Sequence, residues 1–260
     1  MEVRPPATFA ASTSSIVATA IHSGHDLRPA IADRMMLDDA TRTREEDPHT
    51  DVLIPRGSGS VIVQRSRFEM DLNRPREKAV YRTPDDSWGL VIWDGPLCES
   101  EVETSLEQYD AFYRRLGSAL DEVAERGPLV VLDLHSYNHR RGGPAAAPAD
   151  PAENPELNVG TGSLDRDTWG ERVDEFIEVL RAQTAGGHPL DVRENVRFQG
   201  GNVSRWVNDR YEGCGFAIAL EFKKVFMDEW SGEVDHHHLG ELATALERAA
   251  PALSREAMSG

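Results

Sequence analysis

Apolar residues along this chain fall into two rhythms. Short runs with at most one polar residue occur at residues 16–21, 59–63, 90–93, 129–134 and 216–220. Such runs predict strands, and those without polar alternation predict strands buried on both faces of a parallel sheet. Longer stretches repeat apolar residues at helical spacing. Between Ser100 and Arg126 the series Leu106, Tyr109, Phe112, Tyr113, Leu116, Leu120 and Val123 marks a long helix, and Gly127-Pro128 stops it. Trp169, Val173, Phe176, Ile177 and Leu180 mark a second helix over 168–183. A third closes the chain over 239–249, with Asp235 as a nearby candidate cap. Residues 29–36 read as a short helix.

A strand that follows a long helix is the mark of a crossover unit. The pattern therefore predicts an α/β protein: a three-layer α/β/α sandwich with a mixed, largely parallel central sheet. The chain has 260 residues, enough for one such domain. Residues 1–15 are rich in Pro, Ala, Ser and Thr and read as a flexible arm, which leaves 16–260 as a single domain. The charged segment 41–51, broken by Pro48, and the Gly, Ala and Pro-rich segment 142–155 read as loops.

Composition narrows the partners. Hydrophobic residues make up 39% and charged residues 28%, as in a globular protein. A formal net charge of −17 argues against nucleic acid, whose phosphates need a basic face. It leaves room for a small anionic ligand, because a few arginines can make a local positive pocket. No run approaches the about 18 apolar residues of a membrane helix, and no secretory leader pattern opens the chain. Cys98 and Cys214 have no CxxC neighbour and read as free thiols. The expected location is cytoplasmic, with no membrane partner. Nothing in the pattern signals an oligomeric state.

Three apolar runs end in residues able to do chemistry: His22, His135 and Glu221. Ligands of open α/β sheets bind beyond the carboxyl ends of the strands, so these distant residues are expected to converge. In His22-Ser23-Gly24-His25, two imidazoles three residues apart at a strand-to-turn junction can share one metal, and His135 can supply a third ligand. Catalytic zinc takes three protein ligands and keeps a position open for water. Glu46 or Asp47 is the alternative to His25. Glu221 can act as general base and later acid. Asp26 and Asp133 can orient imidazoles through their second ring nitrogens.

Several segments resemble known families. Asp71-Leu72-Asn73-Arg74 resembles the D-x-N-R element of zinc carboxypeptidases, whose Asn and Arg hold a substrate carboxylate. Leu134-His135-Ser136-Tyr137 is similar to the segment with their third zinc ligand, and Ala219-Leu220-Glu221 to the strand with their catalytic Glu. His22-Ser23-Gly24-His25 is similar to their H-x-x-E motif, with His in place of Glu. The closer resemblance, through nearly the whole chain, is to N-formylglutamate amidohydrolases. Its markers include the His-Ser-Gly turn, Asp71 to Arg74, Asp94-Gly95-Pro96-Leu97, Asp133 to Ser136, Leu157 to Gly160, Arg197 to Gly201 and Met227-Asp228-Glu229, in that order.

The resemblance implies a zinc-exopeptidase-like fold and a zinc-dependent amide hydrolase acting on N-formyl-L-glutamate or a related N-acyl amino acid. Zinc is expected on His22, His25 and His135, or with Glu46 or Asp47 replacing His25. Glu221 is the expected base, and Asn73 and Arg74 the expected carboxylate clamp, with Asp71 and Arg205 as further substrate contacts. Arg67 is expected to hold a second carboxylate or the oxyanion, although in strand register it falls on the opposite face from Arg74. The chain departs from the family's usual pattern at Ile21, where Pro is usual, and in Glu45-Glu46-Asp47-Pro48-His49-Thr50-Asp51. Those departures leave room for a carboxypeptidase or peptide-tailoring amidase, and a non-catalytic metal-binding homologue is a third reading. His236-His237-His238 reads as a solvated loop, and the five tryptophans as core or pocket wall.

Overall fold

Four adjacent parallel strands form the centre of the structure, a computed structural model that describes residues 5–254. The elements in chain order are β1 (Ala7–Ala10), β2 (Ile16–Ala20), α1 (Pro29–Ala32), α2 (Asp39–Glu45), β3 (Gly59–Val63), α3 (Glu99–Ala124), β4 (Leu129–Tyr137) and β5 (Leu157–Gly160). There follow α4 (Arg166–Arg181), β6 (Thr184–Ala185), β7 (His188–Pro189), β8 (Val192–Glu194), α5 (Asn202–Arg210), β9 (Gly215–Lys223), α6 (His236–Ala249) and α7 (Pro251–Ser254). The main sheet has seven strands in the order β1-β3-β2-β4-β9-β5-β8. β3, β2, β4 and β9 run parallel, β1 and β5 pair antiparallel with β3 and β9, and β8 runs parallel to β5. β6 and β7 form a separate two-stranded ribbon.

Both faces of the sheet are covered, so its central strands need no polar side. On one face Ala18, Leu132, Leu134, Ile218 and Leu220 pack with Val173, Phe176 and Ile177 of α4 and Leu242 and Leu246 of α6. On the other, Val17, Val131 and Ala217 pack with Phe112, Leu116 and Leu120 of α3 and Val203 and Val207 of α5. Burying each of the larger side chains contributes about 1.5–3 kcal/mol. The sandwich is α/β/α, with a mixed, mostly parallel sheet, as the two rhythms predict.

Local differences have local causes. Ala7–Ala10 lies in the span read as a loose arm, yet it forms an edge strand along β3, while residues 1–4 lie outside the described residues. The charged 41–51 segment is not all loop: Asp38 accepts a hydrogen bond from the Thr41 N–H at 2.7 Å and starts α2. Residues 90–93 make only an isolated bridge, Met35 with Trp93, because Ile92 and Trp93 pack with Ile31, Phe68 and Tyr81 in a small cluster separate from those on the sheet. The triple-His segment is helical: Asp235 accepts from the N–H groups of His237 and His238 and begins α6 three residues before the apolar pattern does. β5, β8 and α5 were too short or too polar to stand out by periodicity.

Candidate active site

The carboxyl ends of β2, β4 and β9 bring the chemistry together. His135 and Glu221 are direct register partners across the parallel β4–β9 pair, so they project from the same face of the sheet. His22 lies just beyond β2, the other neighbour of β4. Asp47 follows α2, and its N–H donates to the His22 carbonyl at 3.0 Å, which pins the acidic segment to the β2 end. The Nδ1 atoms of His22 and His135 lie 3.2 and 3.0 Å from the same Asp47 oxygen, Oδ2. One ligand atom from each of these three buried residues lies within 4.8 Å of the others.

Behind the triad, each imidazole is held by a second carboxylate. His22 Nε2 lies 2.8 Å from Asp71 Oδ1, and His135 Nε2 lies 3.1 Å from Asp133 Oδ2. Asp71 in turn accepts from Arg67 Nη2 at 2.8 Å and from the Tyr81 hydroxyl. Asp133 accepts from Thr19 Oγ1 at 2.7 Å. Two imidazoles and a carboxylate, each ring fixed through its remote nitrogen, form a donor set that fits a zinc ion. The electrostatics agree. Burial opposes a charge on His135, but Asp133, Glu221 and Asp47 outweigh it and hold the imidazolium well above its usual range. A field that favours a proton there favours any cation. Burial likewise opposes the Asp47 carboxylate, and His135 and His22 overcome it, keeping the acid ionised far below the usual range.

The three residues border a cavity of about 410 Å³ that is also lined by Glu221, Arg67, Asn73 and Arg74. Arg67 and Arg74 reach one cavity because 65–74 is a series of turns, not a strand with alternating faces. His25 does not join the group. Beyond Gly24 the chain runs beside Gln64, with the Asp26 N–H donating to the Gln64 carbonyl at 2.9 Å, and this carries His25 toward α2. There its Nδ1 lies 2.6 Å from Glu46 Oε2, and the side chain is 41% exposed. Glu46 is occupied by His25 and by the Ser66 hydroxyl. Asp71, expected at the substrate, is fully buried beneath the cavity and holds His22 instead. Arg205 is exposed on α5 and outside the cavity lining.

The profile of the family described as N-formylglutamate amidohydrolase matches residues 14–227. The chain belongs to this family. Among solved structures, the amidohydrolase is similar to the N-formylglutamate amidohydrolase from Ralstonia eutropha JMP134, with a TM-score of 0.73 at 18% identity over 95% of this chain and 98% of that one. It is also similar to a gene product from Agrobacterium tumefaciens, with a TM-score of 0.68 at 17% identity over 96% and 95% of the two chains. At these identities the likeness is one of fold. No protein with a curated description matches the chain. No helix among the described residues is long and apolar enough to cross a membrane.

Two side chains of the amidohydrolase stand out in the cavity. Burial pushes the Glu221 carboxyl up to about 7, with His135 opposing and Asp47 and Asp133 adding to the rise. Arg74 is half-buried, and its guanidinium has no hydrogen bond or ion pair among the described residues. The sequence assigns no role at the site to the other lining residues, although Ser136 and Arg197 lie in the family markers and the tryptophans read as core or pocket wall. Ser136 Oγ and Asn138 Oδ1 are buried and have no hydrogen-bond partner among the described residues. Trp88 stands on the wall with the Arg67 guanidinium 5.0 Å from its ring centroid. Arg197 rests over Phe198 and Tyr137. Lys224 is buried, and burial pushes its ammonium down to about 8.

Proposed function

We propose that this amidohydrolase hydrolyses the amide bond of N-formyl-L-glutamate or a related N-acyl amino acid, and that His22, Asp47 and His135 hold the zinc ion it needs. One observation carries the reading: an unpaired guanidinium, Arg74, shares a cavity with Glu221 and with a buried His-Asp-His group. That is the equipment for cutting an amide close to a carboxylate. Bound zinc would supply Lewis acidity and lower the pKa of a water toward about 7. Replacing one of three neutral imidazoles by the Asp47 carboxylate lowers the net charge of the site by one, giving a weaker Lewis acid than the His22, His25 and His135 set.

The chain's own groups do the rest. Glu221 takes a proton from the attacking water and delivers it to the amide nitrogen as the C–N bond breaks. Burial raises its carboxyl to about 7 in the protein without metal, and a bound cation would favour the carboxylate that acts as base. Arg74 meets the substrate carboxylate with two parallel hydrogen bonds. Asn73 is held at the start of α5, where its Oδ1 accepts from the Val203 N–H at 3.2 Å, and it presents its Nδ2 beside His135. Arg67, anchored through Asp71, faces the negative charge that develops on the carbonyl oxygen. Arg205, outside the cavity, has no part in this scheme.

Glu221→Gln tests the assignment. The variant is expected to bind zinc as the parent does, measured by elemental analysis, and to lose about 10²–10⁴-fold in turnover. Near-normal turnover would remove Glu221 from the chemistry. A panel of formyl, acetyl and succinyl amino acids, assayed beside short peptides, tests the substrate. Cleavage of the peptides alone would replace this reading with a carboxypeptidase or peptide-tailoring amidase.

A further inference from the structure

We propose that Lys224 is a positioning residue for Asp47: its buried ammonium clamps two backbone carbonyls of the acidic segment and ties that segment to the strand ends that carry His135 and Glu221. The inference rests on the reading of Asp47 as a zinc ligand and concerns how that ligand is held. Lys224 is 1% exposed, an unusual state for a lysine. Its Nζ donates to the Arg44 carbonyl at 2.6 Å and to the Glu46 carbonyl at 2.7 Å. These carbonyls belong to the last turn of α2 and the residue after it, where helices leave acceptors without intrahelical donors. Asp47 is the next residue. At the other end, the Lys224 N–H donates to the Tyr137 carbonyl at 3.0 Å, so its main chain is stitched to the end of β4.

The geometry explains how an acidic loop reaches a fixed place between two histidines. The Asp47 N–H is held by the His22 carbonyl. The carbonyls of residues 44 and 46 are held by Lys224. Asp47 is thus fixed from the β2 end on one side and from the β4–β9 end on the other. Without the ammonium, two buried carbonyls lose their donor, and each such loss is destabilising. Burial opposes the charge at Nζ, and the nearby Asp47, Glu45 and Glu229 carboxylates offset part of that cost. Lys224 also borders the cavity, so a direct contact with substrate is the rival role.

Zinc affinity, measured by competition with a chromogenic chelator and without substrate, separates the two. Lys224→Met is expected to weaken zinc binding about 10–100-fold, the usual effect of losing a group that supports a ligand. Lys224→Arg, which keeps donors at that end of the chain, is expected to restore most of it. In an Asp47→Ala background, Lys224→Met is expected to add little further loss. Should the methionine variant fail to fold, Lys224→Gln, which keeps an amide donor on a shorter stem, is read in the same assay with an intermediate loss expected. Unchanged zinc affinity with a raised KM would overturn the proposal in favour of substrate contact. A full additional loss in the Asp47→Ala background would overturn it too. If Asp47→Ala itself binds zinc like the parent, the ligand assignment fails, which is a different result from failure at Lys224 alone.

Discussion

At the scale of single residues, the site depends on charges kept where water would normally disperse them. Glu221 has a carboxyl raised from 4.5 to about 7 chiefly by burial. In the metal-free protein a raised acid contributes its full stability below the unfolded value and loses it as pH climbs through about 7. Glu221→Gln, neutral throughout, is therefore expected to melt higher than the parent at about pH 8 and level with it at about pH 5, both without metal. Equal melting at both would show that the carboxyl is not raised. In the zinc-loaded enzyme the cation favours the carboxylate, so the acid limb of kcat/KM should have its midpoint below about 7. Arg74 has the opposite character, a cation whose guanidinium has no hydrogen bond or ion pair among the described residues. Arg74→Ala is expected to raise KM about 30-fold or more, equivalent to roughly 2 kcal/mol or above for a lost charge pair, while zinc content stays unchanged. Arg74→Lys should recover only part of that, because an ammonium lacks the planar fork.

At the scale of elements, the ends of β2, β4 and β9 and the segment after α2 carry the residues of the proposed metal site, and the connections aim them. The tight passage at the start of α5 is an example. A Cβ on Gly201 would come within 2.0 Å of the Asn73 side chain. Gly201→Ala is therefore expected to push Asn73 off the Val203 N–H, raising KM and lowering Tm together, whereas an alanine at an open helix position should do neither. Asp38 sets α2 in the same way, by capping its first turn. Asp38→Ala is expected to cost about 1 kcal/mol in thermal unfolding. The central strands were legible in sequence because runs such as Leu129 to Leu132 and Phe216 to Leu220 are apolar without a break. The helix α2 was not, because its seven residues are mostly charged and its stability comes from the Asp38 cap and from packing that begins only once the chain is folded.

At the scale of the whole molecule, four carboxylates, Asp47, Asp71, Asp133 and Glu221, converge around two imidazoles inside a protein of net charge −17. Arg67 balances part of that charge. A divalent cation would balance more, so metal and fold should be linked. At a free zinc concentration 100 times the Kd, linkage gives about 2.7 kcal/mol. For a chain of this size that corresponds to a rise in Tm of roughly 5–10 °C over chelator-treated protein, seen by calorimetry. An unchanged Tm would mean that the His-Asp-His group does not take the ion. The sheet supplies the rigidity this arrangement needs, since β2, β4 and β9 are held side by side and packed on both faces.

The sequence by itself determined the class of the fold, the order of its main strands and helices, and the identity of three residues that meet: His22, His135 and Glu221. Each ends an apolar run, and the ends of parallel strands converge by the geometry of the sheet. Only the tertiary structure decided which acidic or imidazole side chain completes the group. Spacing favoured His25, but the path of the backbone past Gln64 turns it toward Glu46 and leaves Asp47 between the two histidines. It also moved Asp71 from the substrate to the back of His22 and Arg205 out to solvent. Those choices depend on contacts between segments distant in the chain, and local pattern carries no record of them.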